Sequence, residues 1–370
     1  MKEVFFIKTA VATGLGGTLD ENWQQLMSAK SAIKQINYFK TDRLDYHKAS
    51  YVDDLRSSPN INHVCELTKR VLDQIGKIPP DTQIIWTGIK GNAEYIESGQ
   101  TMDKPYLPMH YREYVAKQLG IKNIGLEINA ACASSTVGLA LAAQKIKSGE
   151  SRSVLVCAAD LTSRFVHCGF AALKALSATT VRPFDKNRDG LALGDGAVAI
   201  LLTDIETAER NSYPLLGRLT GWGIANDANH ITGPARDGCG LILSIKSALK
   251  MAGMKANEIE AFCAHGTGTV YNDGMEMAAV ETLFGDKNLP IFSVKGSIGH
   301  TLGAAGGIEA ALCLSALKEK IVLPTPGLIE AEDQAKNRIS NKAQKFAGNN
   351  ILTTNSGFGG VNAALIIESV

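Results

Sequence analysis

No stretch of the 370-residue chain reaches the roughly 18 uninterrupted apolar residues of a membrane span. The opening MKEVFFIKTAVATGLGG interrupts its apolar run at Lys8, and glycines follow soon after, so a first strand and turn fit it better than a secretory segment. A soluble, cytoplasmic protein without membrane contact is expected. Net charge is equally scarce. Lys plus Arg number 38 against 37 Asp plus Glu, so no global field favours nucleic acid, and any charged partner must be met by a local patch. The cysteines (Cys65, Cys132, Cys157, Cys168, Cys239, Cys263 and Cys313) are odd in number and form no C-x-x-C pair, which indicates a reducing compartment without a zinc site. The chain has no G-x-x-x-x-G-K-[ST] loop, no G-x-G-x-x-G opening a helix after a strand, and no H-E-x-x-H. No nucleotide, metal or other cofactor is expected.

What is present is an alternation of helix and strand signals. From Thr18, TLDENWQQLMSAKSAI combines a Thr18/Glu21 capping box with apolar residues at helical spacing. NHVCELTKRVLDQIG reads as a second helix, and IPPDTQIIWTGIKGN as a loop, a strand over Gln83 to Thr87 and a glycine turn. IGLEINAA, the helix after Cys132, SVLVCAAD, GAVAILLTD, GLILSIKSALKMAG, IEAFCAHG and NDGMEMAAVETLFG continue the alternation, an α/β pattern. CASSTVGLALAAQKIKSG at 132 has a counterpart in HTLGAAGGIEAALCLSALKEK at 300, each a reactive residue leading a small-residue helix. We expect one compact body made of two similar halves, 1–205 and 206–370, joined in the polar stretch DIETAERNSYP.

Cys132 has two readings on the residues alone. Free cysteine is commonly a small buried hydrophobe, but a cysteine at a helix N-terminus meets N–H donors and the positive dipole end, which favour thiolate. His265 in FCAHGTGTVYND and His300 in VKGSIGHTLGAAGG each follow a strand-like run inside a glycine-rich turn, where α/β proteins hold ligands. Lys295 is either a solvated strand end or a fixed cation biasing a neighbouring imidazole toward neutrality. Glu309, among small apolar residues at the centre, needs a partner, and Lys295 is the natural one. The terminal NSGFGGVNAALIIES offers unobstructed N–H groups beside Phe358, either half an oxyanion hole or an ordinary hairpin turn. RPFDKNRDGLALGDGA reads as an ion-paired loop near the floor of a site. His63, His110 and His230 read as structural, and His167 lies close to an apolar segment.

In family order, ACASS around Cys132, RPFDKNRDGLALGDGA, AHGTGT with Thr267 and Thr269 followed by ND and Glu276, VKGSIGHTLGAAGGIEA, and NSGFGG resemble the β-ketoacyl-acyl-carrier-protein synthases. The likeness covers about residues 122–370. It implies a thiolase-like five-layered αβαβα fold, normally dimeric, and an acyltransferase working in fatty-acid, polyketide or polyene biosynthesis. Cys132 would carry the acyl chain, and His265 and His300 would bind malonyl thioester and stabilise the enolate left by decarboxylation. Lys295 and Glu309 would support that pair, and Phe358 would gate the site and share an oxyanion hole with Cys132. The partners implied are acyl carrier protein bearing acyl and malonyl groups, and a second subunit, identical or related.

The chain departs from the family pattern in a shorter 40–120 region, in Asp195 where glutamate is usual, and in NSGFGG for NSFGFGG. The alternative reading is a chain-length-factor-like partner subunit; retention of Cys132, His265, His300 and Lys295 speaks against it. Lys69, Arg70, Lys117 and Lys122 are candidates for a basic carrier-docking patch, against the alternative of solvated helix surface.

Overall fold

The computed structural model describes residues 2–42, 44–57, 62–97 and 109–370. Part of the shortened 40–120 stretch therefore lies outside the described residues. Ten strands make up the main sheet: β1 (Phe5–Thr13), β2 (Gln83–Trp86), β3 (Leu126–Glu127), β4 (Ser153–Asp160), β5 (Gly196–Thr203), β6 (Gly217–Asn226), β7 (Phe262–Cys263), β8 (Ile291–Phe292), β9 (Asn350–Gly357) and β10 (Val361–Glu368). Their order is β8-β7-β9-β10-β6-β1-β5-β4-β2-β3. From the centre outward, each half runs through two antiparallel and then two parallel pairings: β1-β5-β4-β2-β3 on one side and β6-β10-β9-β7-β8 on the other. The halves join where Phe5 pairs with Arg218 and Phe6 with Gly217.

The long helices are α1 (Leu19–Met27), α2 (His63–Ile75), α3 (Met109–Leu119), α4 (Ser134–Ser148), α5 (Arg164–Ala172), α6 (Cys239–Ala252), α7 (Val270–Phe284) and α8 (Ala305–Glu319). One apolar core surrounds α4 and α8 between the halves, joining Leu139 and Ile308 to Val156, Ile200, Ile351 and Leu365. A second lies beneath α2 and α3, where Leu67 and Val115 meet Ile84 and Leu155. The third lies beneath α6 and α7, where Ile245 and Val280 meet Phe262 and Leu352. The layers are α, β, α, β, α. β4, β5 and much of β9 and β10 are buried on both faces, which is why β4 and β5 read as nearly continuous apolar runs instead of alternating ones.

The α8 helix is apolar almost all round because neighbours surround it. Glycine lets it approach α4: a Cβ on Gly306 would fall well inside contact distance of Thr136 Oγ1 and Asn355 Oδ1. The Thr18/Glu21 capping box is formed, but α1 stops at Met27. Ala29 takes φ 50 there, and Ile33–Gln35 leaves the helix to pair with Lys48–Ser50. The stretch between the halves contains a short helix, Ile205–Arg210, capped by Asp204, which accepts from the Thr207 N–H at 2.9 Å.

Candidate active site

Cys132 occupies the turn between β3 and α4. Its predecessor Ala131 has φ 49, a left-handed conformation uncommon for a residue with a Cβ. Ser134 holds the turn, its Oγ donating to the Ala131 carbonyl at 2.6 Å and accepting from the Ala130 N–H at 2.9 Å. The end of β9 packs against this turn through Gly357, where a Cβ would meet Ala130 O at 2.8 Å and Cys132 N at 3.1 Å. The next N–H along, that of Phe358, acts on the Cys132 sulfur in the direction that favours its thiolate. The Phe358 ring stacks on Phe170 with centroids 5.7 Å apart.

His265 follows β7 in a turn clamped by two carboxylates one helical turn apart on α7. Glu276 accepts the N–H groups of His265 and Gly266, each at 2.7 Å, while Asp273 accepts those of Thr267 at 3.0 Å, Gly268 at 3.1 Å and Phe184 at 2.8 Å. Thr267 and Thr269 share a hydroxyl hydrogen bond of 2.9 Å. His300 is held by its backbone: its N–H donates to Ala192 O at 2.7 Å and its carbonyl accepts from the Gly194 N–H at 2.9 Å. Both His300 ring nitrogens are buried without a hydrogen-bond partner. The rings of His265 and His300 meet edge to face, 5.2 Å between centroids.

A polar chain lies behind these rings. Lys295, 1% exposed, donates to the His265 carbonyl at 2.5 Å and pairs with Glu309 Oε1. Glu309 Oε2 accepts from Asn355 Nδ2 at 2.7 Å, and the same Nδ2 lies 3.0 Å from His265 Nδ1. Asn355 Oδ1 accepts from the Thr136 hydroxyl on α4. On the other side of the site, Asp160 accepts N–H groups from Ile89 at 3.0 Å, Lys90 at 2.9 Å and Gly303 at 2.9 Å, tying the loop after β2 to the segment after His300.

Burial governs the charge states. It holds both imidazoles well below their ordinary range, with the Lys295 charge acting in the same direction, so both are neutral near pH 7. Burial pushes Glu276 up to about 8 and Asp160 up to about 6. It also pushes the Cys132 thiol up to about 11, outweighing Lys295, Lys90 and the Phe358 N–H, all of which favour thiolate. The thiolate expected from the helix N-terminus is therefore not the resting form, because desolvation of the charged sulfur is the larger effect.

Cys132, His265, His300, Thr267, Thr269 and Phe358 line one cavity of about 1070 Å³. Lys295 and Glu309 stand behind its wall. His230 also lies on the cavity lining, and its Nδ1 accepts from the N–H groups of Thr232 and Gly233 at 3.1 and 3.2 Å, holding its own turn. His63 pairs with Glu94 at 2.5 Å, His110 lies 3.9 Å from Glu113, and His167 Nε2 meets the Tyr46 carbonyl at 3.1 Å. Asp195 is fully buried, accepting from Thr162 N–H at 2.7 Å and Arg56 Nη2 at 2.7 Å. The RPFDKNRDG segment is ion-paired, Arg188 to Glu332 at 2.9 Å, and contributes Asp189 and Gly190 to the cavity.

The four candidates for a carrier-docking patch do not line the cavity. Lys69, Arg70, Lys117 and Lys122 lie in or just after α2 and α3, outside the cavity lining, and Lys69 and Arg70 are compensated by Asp73, Asp54 and Glu66. The exposed cations on the cavity lining are Lys174 and Arg236. Sequence reasoning also passed over Asn355, Thr136, Asp160 and Asp273, although Asn355 stands first in the NSGFGG motif and Asp273 follows AHGTGT within it.

Models of the β-ketoacyl synthase N-terminal and C-terminal domains match residues 112–208 and 216–328, together more than half of the chain. The chain belongs to the β-ketoacyl synthase family. Among its curated relatives, the synthase is 28% identical to 3-oxoacyl-[acyl-carrier-protein] synthase 2 of Rhizobium meliloti (strain 1021), over 418 aligned positions covering 100% of this chain and 99% of the relative. It is 27% identical to the enzyme of the same name from Vibrio harveyi, covering 98% and 99%. Among solved structures, the ishigamide ketosynthase/chain length factor matches with a TM-score of 0.87 at 26% identity, covering 100% and 99%. A β-ketoacyl synthase from Burkholderia phymatum STM815 matches with 0.86 at 26%, covering 100% of both chains. The fold is the ketosynthase one, and the chain is an acyltransferase-type synthase that forms β-ketoacyl products by condensation.

Proposed function

We propose that the synthase loads an acyl group on Cys132 and condenses it with malonyl-acyl carrier protein. The observation that carries this is the convergence of a thiol and two neutral imidazoles on one cavity, with both nitrogens of the buried His300 ring left unpartnered by the protein. In loading, the Cys132 sulfur attacks the acyl thioester; its proton passes by way of His300 to the departing carrier thiolate, so one thioester replaces another. The N–H groups of Cys132 and Phe358 receive the oxyanion of the tetrahedral intermediate. Malonyl thioester then loses carbon dioxide, and its C–C electron pair becomes an enolate whose oxygen takes hydrogen bonds from the two histidines. The enolate carbon attacks the Cys132 thioester, the sulfur leaves and regains a proton, and β-ketoacyl-carrier protein departs. Thr267 and Thr269 supply hydroxyls beside the incoming thioester. Lys295 holds the His265 backbone, with Glu309 as its counter-ion.

The two halves, 1–205 and 206–370, are read as one thiolase-like unit repeated. Each supplies part of the site: the nucleophile from the first, the histidines from the second. A cytoplasmic homodimer, or a heterodimer with a related subunit, completes the proposal. The alternative of a tunnel-shaping partner draws support from the likeness to a ketosynthase/chain length factor. The complete set of Cys132, His265, His300 and Lys295 favours the active enzyme.

The purified chain would be incubated with a panel of acyl-carrier proteins and malonyl-carrier protein, weighing both the Cys132 thioester and the elongated product. Loading without elongation, or neither, refutes the reading, and the mass in solution separates self-pairing from dependence on a partner. Cys132→Ala should abolish loading while decarboxylation persists; equal loss of both would contradict the division of labour.

A further inference from the structure

The geometry points to Asn355 as the positioning residue that sets the tautomer of His265, keeping the proton on Nε2 and presenting it to the cavity. This rests on the reading of His265 as the donor to the enolate oxygen. An amide has one accepting and one donating end, and the Glu309 carboxylate assigns which end of Asn355 is which. Glu309, paired with Lys295, can only accept when ionised, so the group 2.7 Å from its Oε2 is the amide NH₂. At the other end, Asn355 Oδ1 takes the hydroxyl of Thr136, whose backbone lies in α4, the helix led by the nucleophile. With the amide fixed in this way, its NH₂ donates to His265 Nδ1 at 3.0 Å. Nδ1 must therefore be a lone pair, and a neutral ring then carries its single proton on Nε2.

All the partners are buried: Thr136, Asn355 and Glu309 are at most 1% exposed, and His265 is 2% exposed. No solvent is at hand to let the amide rotate cheaply. The ion pair thus has a consequence beyond holding Lys295. Its carboxylate orients an amide, and the amide orients a proton. The same three side chains connect the nucleophile helix of the first half to the histidine of the second.

Proton placement can be read directly by ¹⁵N spectroscopy of histidine-labelled full-length protein, the His265 signals being assigned by their loss in His265→Gln. The wild-type spectrum should show His265 neutral near pH 7, with Nδ1 unprotonated and Nε2 protonated. Asn355→Leu removes the donor and should populate both tautomers. It should lower kcat for malonyl-carrier protein decarboxylation about 100-fold, the order of effect for losing one oxyanion donor, with KM changed far less. Asn355→Asp, when ionised, should draw the proton to Nδ1 and lower kcat further. A wild-type ring protonated on Nδ1, or an Asn355→Leu spectrum identical to wild type, overturns the proposal, and the first of these needs no variant to fold. A reversed tautomer with decarboxylation within about threefold of wild type would instead uphold the positioning role and overturn the reading of His265 as enolate donor.

Discussion

Glu309→Gln probes the polar chain behind the site. Glu309 Oε1 faces the Lys295 ammonium and Oε2 faces the Asn355 amide donor, so both carboxylate oxygens are used as acceptors. Glutamine has one acceptor and one NH₂. If its oxygen turns to Lys295, its NH₂ confronts the Asn355 NH₂; if it turns the other way, NH₂ confronts an ammonium. Turning Asn355 as well would make Thr136 the acceptor of its amide and set its oxygen against His265 Nδ1, which relieves the clash only if the His265 proton moves to Nδ1. Every arrangement therefore either leaves a buried donor facing a donor or reverses the His265 tautomer, and each leaves a charge 1% exposed and lacking its counter-ion. Removing one partner of such a pair costs about 3–5 kcal/mol, a large part of the roughly 5–15 kcal/mol that holds a typical domain folded. At about 2.1 cal/mol/K per residue, 370 residues give an unfolding entropy of ~0.8 kcal/mol/K, so the midpoint should fall ~4–6 °C. Urea unfolding followed by tryptophan fluorescence would measure the loss. Lys295→Met should cost a similar amount, and the double variant should fall short of the sum by about 2 kcal/mol, because the second substitution removes the charge stranded by the first. A single-variant loss below about 1 kcal/mol, or strictly additive losses, would refute the coupling drawn from this geometry.

With the Cys132 thiol pushed up to about 11, iodoacetamide labelling of that residue should climb about tenfold per pH unit from pH 7 to 10. A plateau before about pH 8 would mean that burial does not dominate its charge state. Glu276, raised from 4.5 to about 8, binds a proton in the native state that the unfolded chain has already released, so its contribution to stability is full below pH 4.5 and is lost as pH rises toward 8. Glu276→Gln should flatten the decline of stability across that interval, where the slope is at most about 1.4 kcal/mol per pH unit; identical slopes would exclude Glu276 as its source. Gly306→Ala sets two effects against each other: helix propensity favours alanine by about 1 kcal/mol, but overpacking against Thr136 and Asn355 costs about 1–3 kcal/mol. Net destabilisation in urea together with lower condensation activity is expected, and a stabilised, fully active variant would show that the two helices can move apart.

The parts legible in the sequence were those whose chemistry is unusual for their surroundings. A cysteine at the head of a small-residue helix, histidines in glycine-rich turns and a glutamate among alanines each contradict the ordinary behaviour of their neighbours, and the structure brings them together at one cavity and its rear wall. Asn355, Thr136 and Asp160 carry no such contradiction. Asparagine before Ser-Gly, threonine in a first helical turn and aspartate at a strand end all suit local roles. Thr136 meets Asn355 across 219 positions and Asp160 meets Gly303 across 143, distances at which local pattern carries no signal. The charge environment of Lys69 and Arg70 was partly legible: Asp73 and Glu66 stand one helical turn away, whereas Asp54, which also pairs with Arg70, comes from a separate segment.

Sheet order shows a different limit. Burial on both faces erases alternation from β4 and β5, so their composition identifies them as interior strands without indicating which neighbour each takes. The order emerges only when both halves are compared: β1-β5-β4-β2-β3 and β6-β10-β9-β7-β8 place equivalent strands in equivalent positions. That repetition also locates the chemistry. The equivalent helices α4 and α8 pack against each other at the interface, and a reactive side chain precedes each, Cys132 before one and His300 before the other. A close crossing of these helices therefore does two things at once. It lets Gly306 admit the Thr136–Asn355 contact, and it brings the Cys132 thiol from one half within the same cavity as the imidazoles from the other.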